Sequence, residues 1–394
     1  MIPRFKPALG LQELKAALTW PQHDDVARFE KAFAAKMGQK HAIAFPYGRT
    51  GLMMLLETLG LKDKEIICPA YTCVVVPHAI VFSGNIPVFV DSQEEDYNMN
   101  LDLVPEAITE DTGAIIATSI FGYPVDLDKL DMIRQQYPHI PIIQDCAHSF
   151  AAEWKGRPVQ KEGIAALFGL NISKIITSIF GGMVTTDNDT IAQKLRKLRD
   201  SRLASPSLTK SFRRLFYLLA VYPTFWPPLY GLINRLERSG FLGRLVKYYD
   251  ENSIDMPSDY LEKMTDIEAR VGIQQLKKYD IIINTKRHLA ELYSRQLHGI
   301  KELQLPPIVD GATYSHYVPR VKTRETVLSK ALDDGVQLGR LIEYSIPHMS
   351  SYAKSKSIKK HADIAEKLSI ETINLPIYRN ILKSSARITA LWKR

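Results

Sequence analysis

The chain has 394 residues, 45% of them hydrophobic and 24% charged, with a formal net charge of +8. Those proportions describe an ordinary globular protein, long enough for a large core and for two domains. A moderate basic surplus is compatible with anionic substrates, a membrane surface or nucleic acid, and selects none of them. Cys68, Cys73 and Cys146 lack CxxC spacing and follow no secretory signal, which points to a reducing cytoplasm and against a disulfide framework. No run reaches the ~18 apolar residues of a spanning helix, so the chain reads as soluble or peripheral.

Met1 to Gly10 is rich in proline and reads as an arm. Helical spacing of Val26, Phe29, Phe33 and Met37 predicts a helix over 24–37, capped by Asp24 or Asp25. A short strand, His41 to Phe45, runs into Pro46-Tyr47-Gly48-Arg49-Thr50-Gly51, and a helix is predicted from Leu52 to Leu59. A strand-loop-helix junction with Gly, Thr and free backbone N–H groups is a natural phosphate cradle. Strands are predicted at 65–68, 87–90 and 114–119, with a helix at 74–82. Short β-branched strands separated by helical patterns argue for a mostly parallel sheet flanked by helices. Ligands then belong at the carboxyl ends of the strands, where Gly48, Tyr71, Asp145 and Lys174 all fall.

The stretch from Pro141 to Val184 organises the rest. A buried-strand pattern from Ile140 to Gln144 delivers Asp145 and, one helical turn later, His148. A second apolar run, Ala165 to Leu170, delivers Lys174, followed by Gly181-Gly182 and another strand. This order suits pyridoxal phosphate, which needs an amine for a Schiff base, a carboxylate at its ring nitrogen and a group flanking the ring. Lys174, Asp145 and His148 are the candidates for those roles. Each alone has a plainer reading: a solvated lysine, a structural histidine, a tight glycine turn. Their order and spacing favour the site.

Residues 202 to 248 differ in composition. Eight basic residues (Arg202, Lys210, Arg213, Arg214, Arg235, Arg238, Arg244 and Lys247) face the single acid Glu237, around an apolar, aromatic stretch broken by proline. The segment reads either as a membrane-surface contact or lid, or as a helical excursion packed on the body or on a partner subunit. Beyond it, helices are predicted from Met264 and over 281–293, a strand over 314–321 and a helix over 325–335. The expected organisation is a large cofactor-binding domain over 1–256, with an insertion-like segment at about 202–256, and a smaller α/β domain over 257–394.

Taken together, the motifs resemble the DegT-type sugar aminotransferases, enzymes of pyridoxal-phosphate fold type I. The matching pieces are Pro69-Ala-Tyr-Thr72, Gly84-Asn-Ile-Pro-Val-Phe-Val-Asp91, Phe121-Gly-Tyr-Pro-Val-Asp126, Gln144-Asp-Cys-Ala-His148, Lys174 with Gly181-Gly182, Met264-Thr-Asp-Ile-Glu-Ala269 and Leu375-Pro-Ile377. The resemblance covers the chain outside 202–256. It implies an aspartate-aminotransferase-like fold and an amino donor, L-glutamate by analogy. The acceptor would be a keto-sugar on a nucleotide or lipid carrier in cell-surface glycan synthesis. It further implies Lys174 as Schiff-base lysine and base, Asp145 on the ring nitrogen, His148 beside the ring, and Gly48, Arg49 and Thr50 around the phosphate. A cytoplasmic homodimer with shared sites is expected, and no nucleic acid. Several positions depart from the pattern: the phosphate-binding Ser is Gly169, a stacking aromatic is Cys73, the neighbouring subunit's Asn is Leu261, and Gly-Glu is Ile179-Phe180. Arg49 stands where relatives carry Thr and is read as replacing lost phosphate contacts. The alternative is a non-catalytic sugar-binding relative. A pyridoxamine-dependent dehydratase is disfavoured because that branch replaces the Lys with His.

Overall fold

The computed structural model of the chain describes residues 1–20, 22, 24–226, 229–231, 234, 252–353, 357–359 and 362–392. Among them an eight-stranded sheet runs in the order β1-β9-β8-β5-β4-β2-β3-β10. Its strands are β1 (His41–Phe45), β2 (Glu65–Pro69), β3 (Ile86–Val90), β4 (Thr112–Thr118), β5 (Ile142–Asp145), β8 (Ala165–Gly169), β9 (Gly182–Thr186) and the two-residue β10 (Ile358–Lys359). β6 (Glu153–Trp154) and β7 (Arg157–Pro158) form a separate small ribbon. From β8 to β10 the sheet is parallel, and β9 alone runs against its neighbours β1 and β8.

Parallel strands covered on both faces need apolar residues on both faces, and β4 meets that need: Ala114 and Ile116 enter one core, Ile115 and Ala117 the other. The main helices are α1 (Leu11–Leu18), α2 (Asp25–Met37), α3 (Gly48–Thr58), α4 (Val75–Phe82), α5 (Val104–Ala107), α6 (Leu127–Gln136), α7 (Asp189–Arg202), α8 (Leu208–Val221), α9 (Asp266–Leu276), α10 (Tyr279–Leu297), α11 (Arg324–Asp333) and α12 (Asp363–Glu371). Helix α2 buries Phe29, Phe33 and Met37 in one core, and α3 buries Leu52, Leu55 and Leu56 in the other. The expected strands and helices of the sheet are therefore present, with three differences. Helix α3 starts at Gly48, so the cradle residues form its first turn. Helix α1 follows directly on the arm, where none was expected. The stretch 314–321 makes only isolated bridges, such as Tyr317 with Leu375 and Arg320 with Thr372. Pro319 removes a ladder donor there, and Tyr314 adopts a positive φ of 53°.

The basic segment enters the described structure as the end of α7, helix α8 and one turn over Tyr222–Phe225. Ser207 caps α8 by accepting from the Lys210 N–H at 3.1 Å, and Pro223 follows its end. Arg235, Glu237, Arg238, Arg244 and Lys247 lie outside the described residues. No helix among the described residues is long and apolar enough to cross a membrane.

Candidate active site

The strand registers bring the singled-out residues to one edge of the sheet. Thr118 pairs with Asp145, Asp145 with Leu167, and Gly169 with Gly182, so the ends of β4, β5 and β8 lie level. Phe45 also pairs with Gly182, which places the start of α3 against the same edge. The approach is close enough to require glycine. A Cβ on Gly182 would lie 2.3 Å from the Gly48 nitrogen, and one on Gly48 would lie 3.5 Å from the Gly169 Cα.

Asp145 is buried, accepting from the Ala147 N–H at 3.0 Å and the Thr118 hydroxyl at 3.3 Å. Burial raises its pKa above the usual carboxylate range, against the pull of the Ala147 N–H, the Lys174 charge and the Thr118 hydroxyl. Lys174 follows a turn in which its N–H donates to the Asn171 carbonyl at 3.0 Å. Burial of its amine lowers its pKa, opposed by Cys73 and Asp145. The two side chains thus feel one another, yet no ion pair joins them among the described residues. A Cβ on Gly169 would lie 3.2 Å from the Lys174 Cε and 3.6 Å from the Ala147 Cβ. Asp145, Lys174, Gly169, Cys73 and Gly48 therefore belong to one neighbourhood.

His148 sits in the wall of this neighbourhood. Its Nδ1 accepts from the Phe121 N–H at 3.3 Å and its ring stacks on Phe121, with centroids 6.0 Å apart. Burial, then the charges of Lys174, His316 and Lys286, hold its pKa well below the ordinary histidine value. Sequence reasoning missed two of those groups. The His316 ring is 5.2 Å from that of His148, and it too is kept neutral by burial and by Lys286 and Lys174. Lys286 on α10 is buried and donates to the carbonyls of Ser315 at 2.8 Å and Ile377 at 3.1 Å. Burial alone pushes its pKa down to about 7. A histidine inside the expected strand 314–321 was the one available signal.

Arg49 and Thr50, in the first turn of α3, contact the 255–260 segment. The Arg49 guanidinium donates to the Asp255 carbonyl at 3.4 Å and lies 3.8 Å from the Asp255 carboxylate, while the Thr50 hydroxyl donates to the Tyr260 carbonyl at 3.3 Å. What α3 offers to an anion is its N-terminal turn of backbone N–H groups, resting on Gly169 and Gly182. Leu261 is half-buried against the core, its carbonyl accepting from the Ala204 N–H at 2.9 Å.

Helix α8 closes one side of this arrangement. The Arg214 Nε donates to Glu268 at 2.9 Å, and its Nη2 donates to Asp259 at 2.6 Å and to the Tyr47 hydroxyl at 2.9 Å. The same guanidinium lies 4.3 Å from the centroid of the Phe180 ring. Lys210 donates to the Glu262 carbonyl at 2.7 Å. Two of the basic residues of the segment thus face inward, as the packed-excursion reading expects.

The donor set fits pyridoxal phosphate. An amine whose pKa burial lowers suits a Schiff base, and a buried carboxylate raised by desolvation would be returned to its charged form by a cationic ring nitrogen. Comparison with known sequences decides the matter: the profile described as "DegT/DnrJ/EryC1/StrS aminotransferase family" matches residues 10–219 and 227–390. The chain belongs to that family. It is a pyridoxal-phosphate-dependent aminotransferase. The match runs through most of the basic segment, which the resemblance had left outside, and breaks only between 219 and 227. An uncharacterized protein of Methanocaldococcus jannaschii is 29% identical over 96% of this chain and 92% of its own. The GDP-perosamine synthase of Escherichia coli is 25% identical over 96% of this chain and 94% of its own. Among solved structures, a putative sugar aminotransferase from Streptococcus pneumoniae in its PMP form shares the fold, with a TM-score of 0.78, 19% identity and coverage of 100% and 98%.

Proposed function

We propose that this aminotransferase moves the amino group of L-glutamate to a keto group on a nucleotide-linked or lipid-linked sugar, within cell-surface polysaccharide or glycan biosynthesis. The observation that carries the reading is the placing of Lys174 and Asp145 at adjacent strand ends, mutually sensed yet not paired. The GDP-perosamine synthase similarity supports a sugar acceptor. Bound pyridoxal phosphate supplies the electron sink that makes the donor's α-proton removable. Lys174 would hold the cofactor through its amine and would serve as the base at the reacting carbon, a task its lowered pKa assists. Asp145 holds the ring nitrogen protonated. His148, fixed by Phe121, orients the ring from the side. The N-terminal turn of α3 receives the phosphate against Gly169. The working form is a homodimer, and the free Cys68, Cys73 and Cys146 support a reducing, cytoplasmic setting. No observation favours a non-catalytic relative, since both Lys174 and Asp145 are in place.

The test is an absorbance spectrum of protein purified with pyridoxal phosphate, before and after L-glutamate. A visible band that bleaches on addition is the expected result. A bound cofactor indifferent to glutamate would remove the donor assignment, and no bound cofactor would remove the site.

A further inference from the structure

Helix α8 is built the opposite way round from a helix that meets only water. Its inward face carries Lys210 and Arg214, both buried. Its outward face carries Leu208 at 90% exposure, Phe212 at 69%, Phe216 at 64% and the half-exposed Leu219, a single stripe at helical spacing. Helix α1 lies beside it, their inner residues Ala17 and Leu218 sharing one cluster with Ile179. Leu11 and Leu18 of α1, and Trp20 just beyond it, are likewise exposed. The arm joins the same layer through Phe5, whose ring meets Phe225 edge-on at 6.0 Å, and Trp226 follows at 65% exposure. Soluble surfaces rarely gather so many large apolar side chains into one layer.

Among the described residues of α1, α8 and the arm, the exposed charges have one sign. Arg4, Lys15 and Arg213 are exposed. The single acid of residues 1–20, Glu13, is buried on Lys278 and Gln275, and residues 203–226 contain no acid. Exposed aromatics interleaved with unopposed cations match an interface of acyl chains and anionic headgroups. We infer that the outer face of α1 and α8 docks this enzyme on an anionic lipid surface. Ile179 and Phe180, next to the glycine pair of the site, form the floor on which the docking layer rests, so the docking layer adjoins the site. The inference rests on the proposed function only where it favours a lipid-linked over a nucleotide-linked acceptor.

The experiment is co-sedimentation of the full chain with vesicles of phosphatidylcholine, with and without phosphatidylglycerol. Binding should require the anionic lipid and weaken as salt rises, because the screening length shrinks from ~10 Å at 0.1 M to ~3 Å at 1 M. The double substitution Phe212→Asp with Phe216→Asp should weaken it by at least about tenfold. Light scattering should show the same particle mass for both proteins, and the glutamate-dependent spectrum should be the same. Absence of wild-type binding, or equal binding by the variant, overturns the inference. A variant that falls to half the wild-type mass would show instead that this face joins two copies of the chain. Because the spectrum is read separately, failure of the transaminase assignment is distinguishable from failure of docking.

Discussion

The strand-end floor and the α8 face above it use charge in opposite ways. At the floor, Asp145 and Lys174 are both desolvated and both shifted toward neutrality, with no ion pair between them. Under α8, Arg214 is fully engaged by Glu268, Asp259 and Tyr47. An ion pair completed within the chain stabilises the chain, whereas charges held apart retain their free energy for a ligand. The two regions meet at the Tyr47-Gly48 step. Tyr47 is gripped by Asp259 and Arg214, and Gly48 leans on Gly169. The reactive floor is thus held in shape by the satisfied network.

The comparison breaks most sharply at Lys174. Lys174→Ala should cost on the order of 10²–10⁴ in transamination through the lost base alone, and more through the lost attachment. Its amine makes no hydrogen bond among the described residues, so the melting temperature should stay close to that of the wild type. An active variant, followed by product formation from L-glutamate and a keto acceptor, would end the assignment of this lysine.

Arg214→Met probes the other region and should act on stability before chemistry. It leaves Glu268 buried without its cation, which costs about 3 kcal/mol in such settings. Burial alone would raise the pKa of Asp259. The Tyr47 hydroxyl and the Arg214 and Lys210 charges outweigh burial and hold it below the usual range. A carboxylate depressed in the folded state contributes stability above its unfolded pKa of about 3.9, and that contribution fades as pH falls through the lower folded value. Urea melts of the two proteins should therefore differ most near neutrality and converge in acid below about pH 4. Equal stability at pH 7 would mean that the network is ornamental.

The floor was legible in the sequence because its determinants are local. The apolar run Ile142-Ile143 ends at Gln144-Asp145, and the run Ala165 to Leu170 is followed by Asn171 and, three positions later, Lys174, so strand, turn and site residue lie within a few positions of one another. The His148 wall was only half legible. His316 and Lys286 reach it through the packing of α10 and the 315–377 contacts, which no window of sequence displays. For α8 the basic count was legible but its direction was not, since Arg214 finds Glu268 and Asp259 far downstream. Ile179 joins the two cases. It keeps a φ of 79°, an outlier for a β-branched residue, and it packs with Ala17 and Leu218 beneath α1 and α8. The departure from Gly-Glu that the resemblance marks at Ile179-Phe180 thus coincides with the seat of the proposed docking layer.

Gly169→Ser asks whether the floor can be given a donor without disturbing Lys174. Gly169 has ordinary backbone torsion for an L-residue, so the substitution meets only contacts. The nearest, the Lys174 Cε at 3.2 Å, belongs to a flexible stem that can yield by a few tenths of an ångström. A serine hydroxyl at the end of β8, beside the first turn of α3, would add one hydrogen bond to the phosphate. Bonds to charged groups contribute about 1.5–3 kcal/mol, so after the lysine shift pyridoxal-phosphate affinity should rise by about tenfold. Equilibrium ultrafiltration of the cofactor measures this directly. Unchanged affinity together with a slower glutamate half-reaction would reverse the interpretation. Gly169 would then be the space that Lys174 needs to move, and the absence of a side chain there a feature of the chemistry.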